Sequence, residues 1–173
     1  MGNIEALESL SKEKLIELVE IYSKNLIAMD GVWFQSIERK FGMDEAMYHD
    51  EEAWKRFTIT EAMRIKKFLG LPERAGLEGL EKALSYKLNT LSNLVEVKRE
   101  GAELIYRIVD CRVQTARKRK NMPFHPCKSV GMFEYEGFAR TLDERIVCEC
   151  LSCFPDITDE TCSCSWKFTL VES

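Results

Sequence analysis

The run Leu94-Val-Glu-Val-Lys98-Arg-Glu-Gly101-Ala-Glu-Leu-Ile-Tyr106-Arg-Ile-Val-Asp110 is where the sequence changes period. Upstream of it apolar residues recur every three or four positions, as on a helix face. From Leu94 onward they alternate, as on a strand. Gly101 follows Arg99-Glu100 as the turn of a hairpin, and the second strand is expected to run from Glu103 to about Thr115. One face of that strand carries Ile105, Val109, Cys111 and Val113, interrupted by Arg107. The other carries Leu104 and Ile108 together with Tyr106, Asp110, Arg112 and Gln114. Antiparallel sheets commonly wet one face, so solvent is the first expectation for the polar side. Helices laid over it would instead make Tyr106, Asp110, Arg112 and Gln114 the lining of a ligand pocket.

Upstream, Ser11 has the chemistry of an N-cap, with Glu13 in the first turn. Leu15, Leu18, Val19, Tyr22, Leu26 and Met29 then form one apolar stripe, which Val32, Trp33, Ile37 and Phe41 resume beyond Asp30-Gly31. The reading is one long helix with a weak point at Gly31, or two helices meeting there. Asp44 is expected to cap the next helix, which buries Met47, Trp54, Phe57, Ala62, Ile65, Phe68 and Leu69 and ends at Leu71-Pro72. A further helix carries Leu77, Leu80, Leu84, Leu88 and Leu91. Two acids lie along these stripes: Asp30, a turn from Leu26 and Trp33, and Glu61, between Phe57 and Ile65. Held against aromatics, either carboxylate would have a raised pKa suited to general acid or base work. At the stripe's edge it would simply pair with a base, such as Arg64 for Glu61.

Downstream, Arg117-Lys-Arg-Lys120 reads as a solvated turn. Pro123-Phe-His125-Pro-Cys127-Lys-Ser-Val-Gly131 is a rigid loop entering a helix of about residues 130–142, with Ser129 as its cap. A thiol at Cys127, just before that helix and next to Lys128, would have a lowered pKa. Arg145 to Leu151 and Cys164 to Val171 read as two more strands.

The chain has 173 residues, 45% of them hydrophobic and 31% charged, which suits one shared core of a globular protein. A net charge of -4 and a pI near 5.4 make nucleic acid an unfavoured partner. The first residues lack the basic and apolar regions of a secretory signal, and no apolar run reaches the roughly 20 residues that span a bilayer. A cytoplasmic location without membrane attachment is therefore expected, and a homo-oligomer is compatible with the sequence. In that compartment clustered cysteines mean metal ligands or reactive thiols more often than disulfides.

Six of the seven cysteines fall between His125 and Trp166. Zinc takes four N/S ligands, usually in short-spaced pairs. Cys150-x-x-Cys153 is such a pair at a strand end. Cys164 returns on the next strand and Cys127 or His125 comes from the loop, so Cys127, Cys150, Cys153 and Cys164 form one candidate zinc site. Strand periodicity allows a second set, Cys148, Cys150, Cys162 and Cys164. The alternative to both is a group of free thiols packed as small hydrophobes.

The pieces Trp33-Phe34, Phe41-Gly42, Trp54, His125-Pro-Cys127-Lys-Ser-Val-Gly131 and Cys150-x-x-Cys153 resemble an uncharacterised family of prokaryotic cytosolic proteins. In layout, residues 94–171 also resemble thiazoline-carboxylate hydrolase-like proteins and vinyl-reductase-type ligand-binding domains. The second resemblance implies a cavity between sheet and helices, and cysteine-dependent hydrolysis of a small cyclic amidine-like substrate.

The expected fold is α+β. A helical part, residues 1–92, packs with a cysteine-rich part, residues 93–173, made of an antiparallel sheet of about four strands and one inserted helix. Three functions follow in order. The first is binding or sensing of a small-molecule ligand, with the thiols closing a structural zinc site. The second is a cysteine hydrolase with Cys127 as nucleophile and His125, Asp30 or Glu61 as base. His125 and Cys127 stand two residues apart around a proline, which does not oblige them to face each other. The third is thiol redox chemistry at Cys150 and Cys153.

Overall fold

The computed structural model describes residues 4–171. After a short turn of helix, α1 (Glu5–Glu8), come α2 (Lys12–Phe41), α3 (Met43–Leu69), α4 (Gly76–Leu84) and a single 3-10 turn, Thr90–Ser92. The sheet opens with the hairpin β1 (Leu94–Glu100) and β2 (Glu103–Asp110). Next come α5 (Arg112–Arg119), α6 (Lys128–Leu142), β3 (Ile146–Cys153) and β4 (Cys164–Leu170). The four strands are antiparallel neighbours in the order β1-β2-β4-β3, so β4 lies between β2 and β3. This is the expected α+β arrangement of N-terminal helices, four-stranded sheet and inserted helix.

Local chemistry explains the main boundaries. The Ser11 side chain accepts from the Lys14 N–H and caps α2, which runs through Gly31 without a break. Between α2 and α3 only Gly42 intervenes, at φ 95, so Asp44 lies in the first turn of α3 and does not cap it. Gly70, in the left-handed region, closes α3 just before Leu71-Pro72. Gly101 takes the positive φ that the β1–β2 turn requires.

The core lies between the sheet and its helices. Leu104, Tyr106 and Ile108 from β2 and Trp166 and Phe168 from β4 pack under Tyr135, Phe138 and Leu142 of α6 and Leu80 and Leu84 of α4. Ala62 and Ile65 of α3 complete the cluster. Gly131 makes close packing over Trp166 feasible: a Cβ there would lie 2.5 Å from the indole ring. The opposite sheet face is open, with Arg107 bridging Glu96 and Asp159, and Lys167 bridging Glu103 and Glu149.

Four sequence expectations are corrected. The second strand stops at Asp110, and Arg112 and Gln114 belong to a helix. Its covered face is the one carrying Tyr106, while the Ile105/Arg107/Val109 side is only half-buried. Helices do cover the face expected to be wet, because α4 and α6 need an apolar floor. On α2 the stripe through Leu15, Val19, Tyr22, Leu26 and Met29 is exposed, and the face turned inward carries Ser23, Ile27 and Phe34. Finally, Arg117 is buried and not part of a solvated turn: its guanidinium binds Glu38 of α2 at 2.9 and 2.6 Å.

Lys87, fully buried in the loop after α4, joins three elements. Its ammonium lies 3.0 Å from Glu61 of α3 and 2.7 Å from Glu134 of α6, ringed by Trp54, Tyr135 and Phe138. Removing a buried cation leaves two carboxylates without compensation. Lys87→Met should therefore destabilise the fold by about 3–5 kcal/mol, read as a lower urea midpoint at unchanged m-value. A loss under about 1 kcal/mol would mean that water already reaches these carboxylates.

Candidate functional site

The loop before α6 is shaped by its neighbours. The Cys127 N–H donates to the His125 carbonyl at 2.8 Å, closing a tight turn centred on Pro126. Gln114 of α5 clamps the same turn: its amide oxygen accepts from the His125 N–H at 3.0 Å, and its Nε2 donates to the His125 carbonyl at 2.7 Å. Nε2 also lies 3.4 Å from the Cys127 sulfur. One turn further along α5, Arg117 donates to the Pro123 carbonyl and holds the loop's entry. Cys127 itself is the residue at the N-terminus of α6, where free backbone N–H groups favour an anion. Lys128 does not assist it, because its ammonium pairs outward with Asp156 at 2.8 Å.

The turn places the imidazole of His125 beside the thiol of Cys127. Its Nε2 pairs with Asp50 of α3 at 3.0 Å, the ring packs on Phe34, and Nδ1 has no hydrogen-bond partner among the described residues. On the far side, Cys153 at the end of β3 lies 3.7 Å from Cys127, sulfur to sulfur. The hydrogen bond from Cys153 lowers the Cys127 pKa well below the ordinary thiol range. Burial resists this, while His125 and Gln114 assist it. The same contact, with Cys164 and burial, raises the Cys153 thiol. For His125 burial disfavours the cation, but Asp50 and the Cys127 thiolate outweigh it and raise the pKa to about 9. Both shifts favour a thiolate beside an imidazolium that Asp50 steadies.

These groups line one wall of a partly open cavity of about 120 Å³ between α2, α3, α6 and the sheet. Asp30 from α2, Asn89 and Trp166 form other parts of its lining. Burial, reinforced by the nearby Asp50 charge, raises Asp30 to about 7. Among the described residues no hydrogen bond or ion pair holds its carboxylate. Asn89 gives its Nδ2 to Glu134 at 2.9 Å, which leaves its buried Oδ1 without a partner. The cavity thus offers two unused acceptors together with the Cys127 thiol.

Of the residues singled out in the sequence, Cys127, His125, Asp30 and Gln114 meet here. Glu61 does not, being committed to Lys87 and to the Leu88 N–H. Tyr106 lies beneath, its hydroxyl 3.1 Å from that of Thr90, while Asp110 and Arg112 are exposed. In place of a strand-borne pocket wall, helix α5 supplies one clamp, because the chain turns at Cys111. Asp50 was missed by sequence reasoning. Its signal was an acid on the inner stripe of α3 between Met47 and Trp54, the same signal that drew notice to Asp30 and Glu61.

The cysteines divide. Cys111, Cys127, Cys153 and Cys164 line the cavity, and Trp166 donates its indole N–H to Cys164 at 3.4 Å. A bulge between Cys150 and Ser152 turns both Cys150 and Cys153 inward, although they stand three residues apart. Cys148 lies opposite Phe168, and Cys162 contacts Asp159. Among the described residues no three His, Cys, Asp or Glu side chains are grouped to hold a metal ion. Nor is any described helix long and apolar enough to cross a membrane.

The sequence model of the family of unknown function DUF6125 matches residues 8–170, which takes in both the helical part and the sheet. The chain belongs to that family. No curated protein matches the sequence. For this DUF6125 member the site's chemistry therefore has to be read from its own residues.

Two outcomes are expected. Iodoacetamide should label Cys127 first, and its rate should stay nearly level from pH 8 to pH 6.5, where an ordinary thiol of pKa about 8.5 slows roughly tenfold per unit. Peptide mapping of the labelled cysteine checks this, and a rate that falls like an ordinary thiol's would remove the thiolate. Asp30 has a raised pKa in the folded state, so its ionisation costs stability from pH 4 upward and in full above about 7. Asp30→Asn should accordingly raise the melting temperature more at pH 8 than at pH 4. An equal change at both would mean that the carboxylate is not desolvated.

Proposed function

We propose that this chain is a cysteine-dependent hydrolase of a small amidine-like molecule, with Cys127 as nucleophile. The observation that carries the reading is the sequence Cys127, His125, Asp50 of interacting side chains on the wall of a cavity. Asp50 holds the imidazole through Nε2, which leaves Nδ1 free to exchange a proton with the reacting groups. Asp30 and the Asn89 oxygen accept N–H donors, which suits a substrate that enters as an amidinium cation. The layout resemblance of residues 94–171 to thiazoline-carboxylate hydrolase-like proteins points to the same substrate class, in ring form.

The chemistry balances with water alone. The thiolate forms a C–S bond to the amidinium carbon, and the C=N electron pair moves to nitrogen. His125 gives its Nδ1 proton to the departing nitrogen, the C–N bond breaks, and a thioimidate remains on Cys127. Water then attacks that carbon and yields a proton to His125. As the C–S bond breaks, the remaining hydroxyl proton passes to the released amine, the product leaves as amide and ammonium, and thiolate and imidazolium are restored. Gln114 fixes the loop throughout, acting on position and not on the substrate.

One contact favours a second reading, thiol redox chemistry. Cys153 is 3.7 Å from Cys127, a separation from which a disulfide forms once an oxidant removes two electrons. In that case the pair is Cys127 and Cys153, in place of Cys150 and Cys153.

A panel of small cyclic amidines incubated with the full chain, quenched in acid and analysed by mass spectrometry, tests the proposal. The expected result is ring-opened product plus a substrate adduct on the Cys127 peptide. Cys127→Ala should abolish both, and Asp50→Asn should lower turnover by at least ~100-fold. Absence of product and adduct across the panel, or turnover surviving Cys127→Ala, would refute the hydrolase. A metal measurement on the same protein addresses the zinc reading of Cys127, Cys150, Cys153 and Cys164.

A further inference from the structure

Helix α2 is about 45 Å long at 1.5 Å per residue, yet it packs mainly on α3 and the 3-10 turn before the sheet. Its inward side uses Ser23, Ile27 and Phe34. Beside that side runs a second stripe, Leu15, Val19, Tyr22, Leu26, Met29 and Trp33, with steps of 4, 3, 4, 3 and 4 residues. These six are 38, 54, 62, 47, 62 and 64% exposed. Spacing of 3.5 residues is that of a coiled-coil seam, and no charged residue falls on it between Lys12 and Lys40. Flanked by Ile16 and Val32, also more than half exposed, the stripe presents on the order of 700–900 Å² of largely apolar surface. Stable interfaces bury about 800 Å² per partner.

We propose that α2 pairs antiparallel with the α2 of a second copy of this chain, making the protein a two-fold symmetric dimer. The order of side chains along the seam selects this occupant and this direction. About a two-fold between Tyr22 and Leu26, the seam complements itself: Tyr22 meets Leu26, Val19 meets Met29, and Leu15 meets Trp33. Each layer sets a larger side chain against a smaller one, as close packing requires. A parallel pair would stack Trp33 on Trp33 and Tyr22 on Tyr22, and would set the two helix dipoles side by side in the same direction. The cavity residues Asp30 and Phe34 lie on the adjoining face of the same helix, so dimerisation leaves the cavity's other walls in place.

Sedimentation velocity on the full chain, across low to high micromolar concentration, tests the proposal together with two single variants. The natural chain should be a dimer. Tyr22→Glu and Leu26→Lys each put a charge into an apolar layer of the homodimer, and each should weaken it at least ~100-fold. Mixed in equal amounts they should dimerise again, because only antiparallel pairing sets residue 22 of one chain against residue 26 of the other. Circular dichroism and the Cys127 labelling rate show whether each variant is folded. A monomeric natural chain, or a dimer that survives Tyr22→Glu, would overturn the inference. So would folded variants that stay monomeric when mixed.

Discussion

A single ammonium group buried among aromatic rings constrains most of this architecture. Lys87 has no access to water, so the fold must bring both Glu61 and Glu134 to it. That requirement fixes α3 against α6 and pulls the loop after α4 between them. Glu61 also takes the Leu88 N–H, and Ser23 of α2 donates to the Leu88 carbonyl, so the seat of α2 follows from the same loop. Burial raises the pKa of Glu134 while Lys87 and the Asn89 amide oppose it. Because Asn89 spends its donor there, its oxygen is left for the cavity. A structural ion cluster thereby sets the polarity of a binding site it does not join.

The site depends on a second support that acts through the backbone. His125 and Cys127 are too close in sequence to meet in an extended chain, and the turn at Pro126 removes that obstacle. Gln114 spans both sides of the turn, and Arg117 anchors its entry while bound to Glu38. The reacting groups are thus presented by a loop whose shape is set by helices on two sides. Rigid support of this kind is what nucleophilic catalysis requires of its surroundings.

The period change at Leu94, the cap at Ser11 and the glycine turn at Gly101 are local signals, and each was legible in the sequence. So was the position of Cys127 directly before a helix, though not the contact with Cys153 that does most to lower its pKa, nor that Lys128 turns away to Asp156. What failed was the inference of which stripe faces inward on α2 and on β2, whereas on α3 (Phe68 apart), α4 and β4 the expected faces are the buried ones. On α2 the more hydrophobic stripe is the exposed one, since the inward face must accommodate Ser23 and Asp30 beside the loop and cavity. On β2 the face with Tyr106 looked polar because the strand seemed to continue through Asp110, Arg112 and Gln114. With the strand ended at Asp110, that face is Leu104, Tyr106 and Ile108, and it is the core. Asp50 and Lys87 acquire their meaning only from partners 75 and 26 to 47 residues away, which no local pattern reports.

The bulge in β3 has a consequence for how this chain tolerates change in length. Leu151 is the residue that the ladder passes over between Cys150 and Ser152. Its side chain is free to vary, because the register does not depend on what it is. Deleting it would leave Cys150 and Cys153 two positions apart, so plain alternation would keep both on the covered face, with Ser152 still opposite Ser165 and Cys153 opposite Cys164. The segment can therefore lose that one residue and keep its ladder, whereas one more residue there would have to widen the bulge or turn Cys153 to the open face.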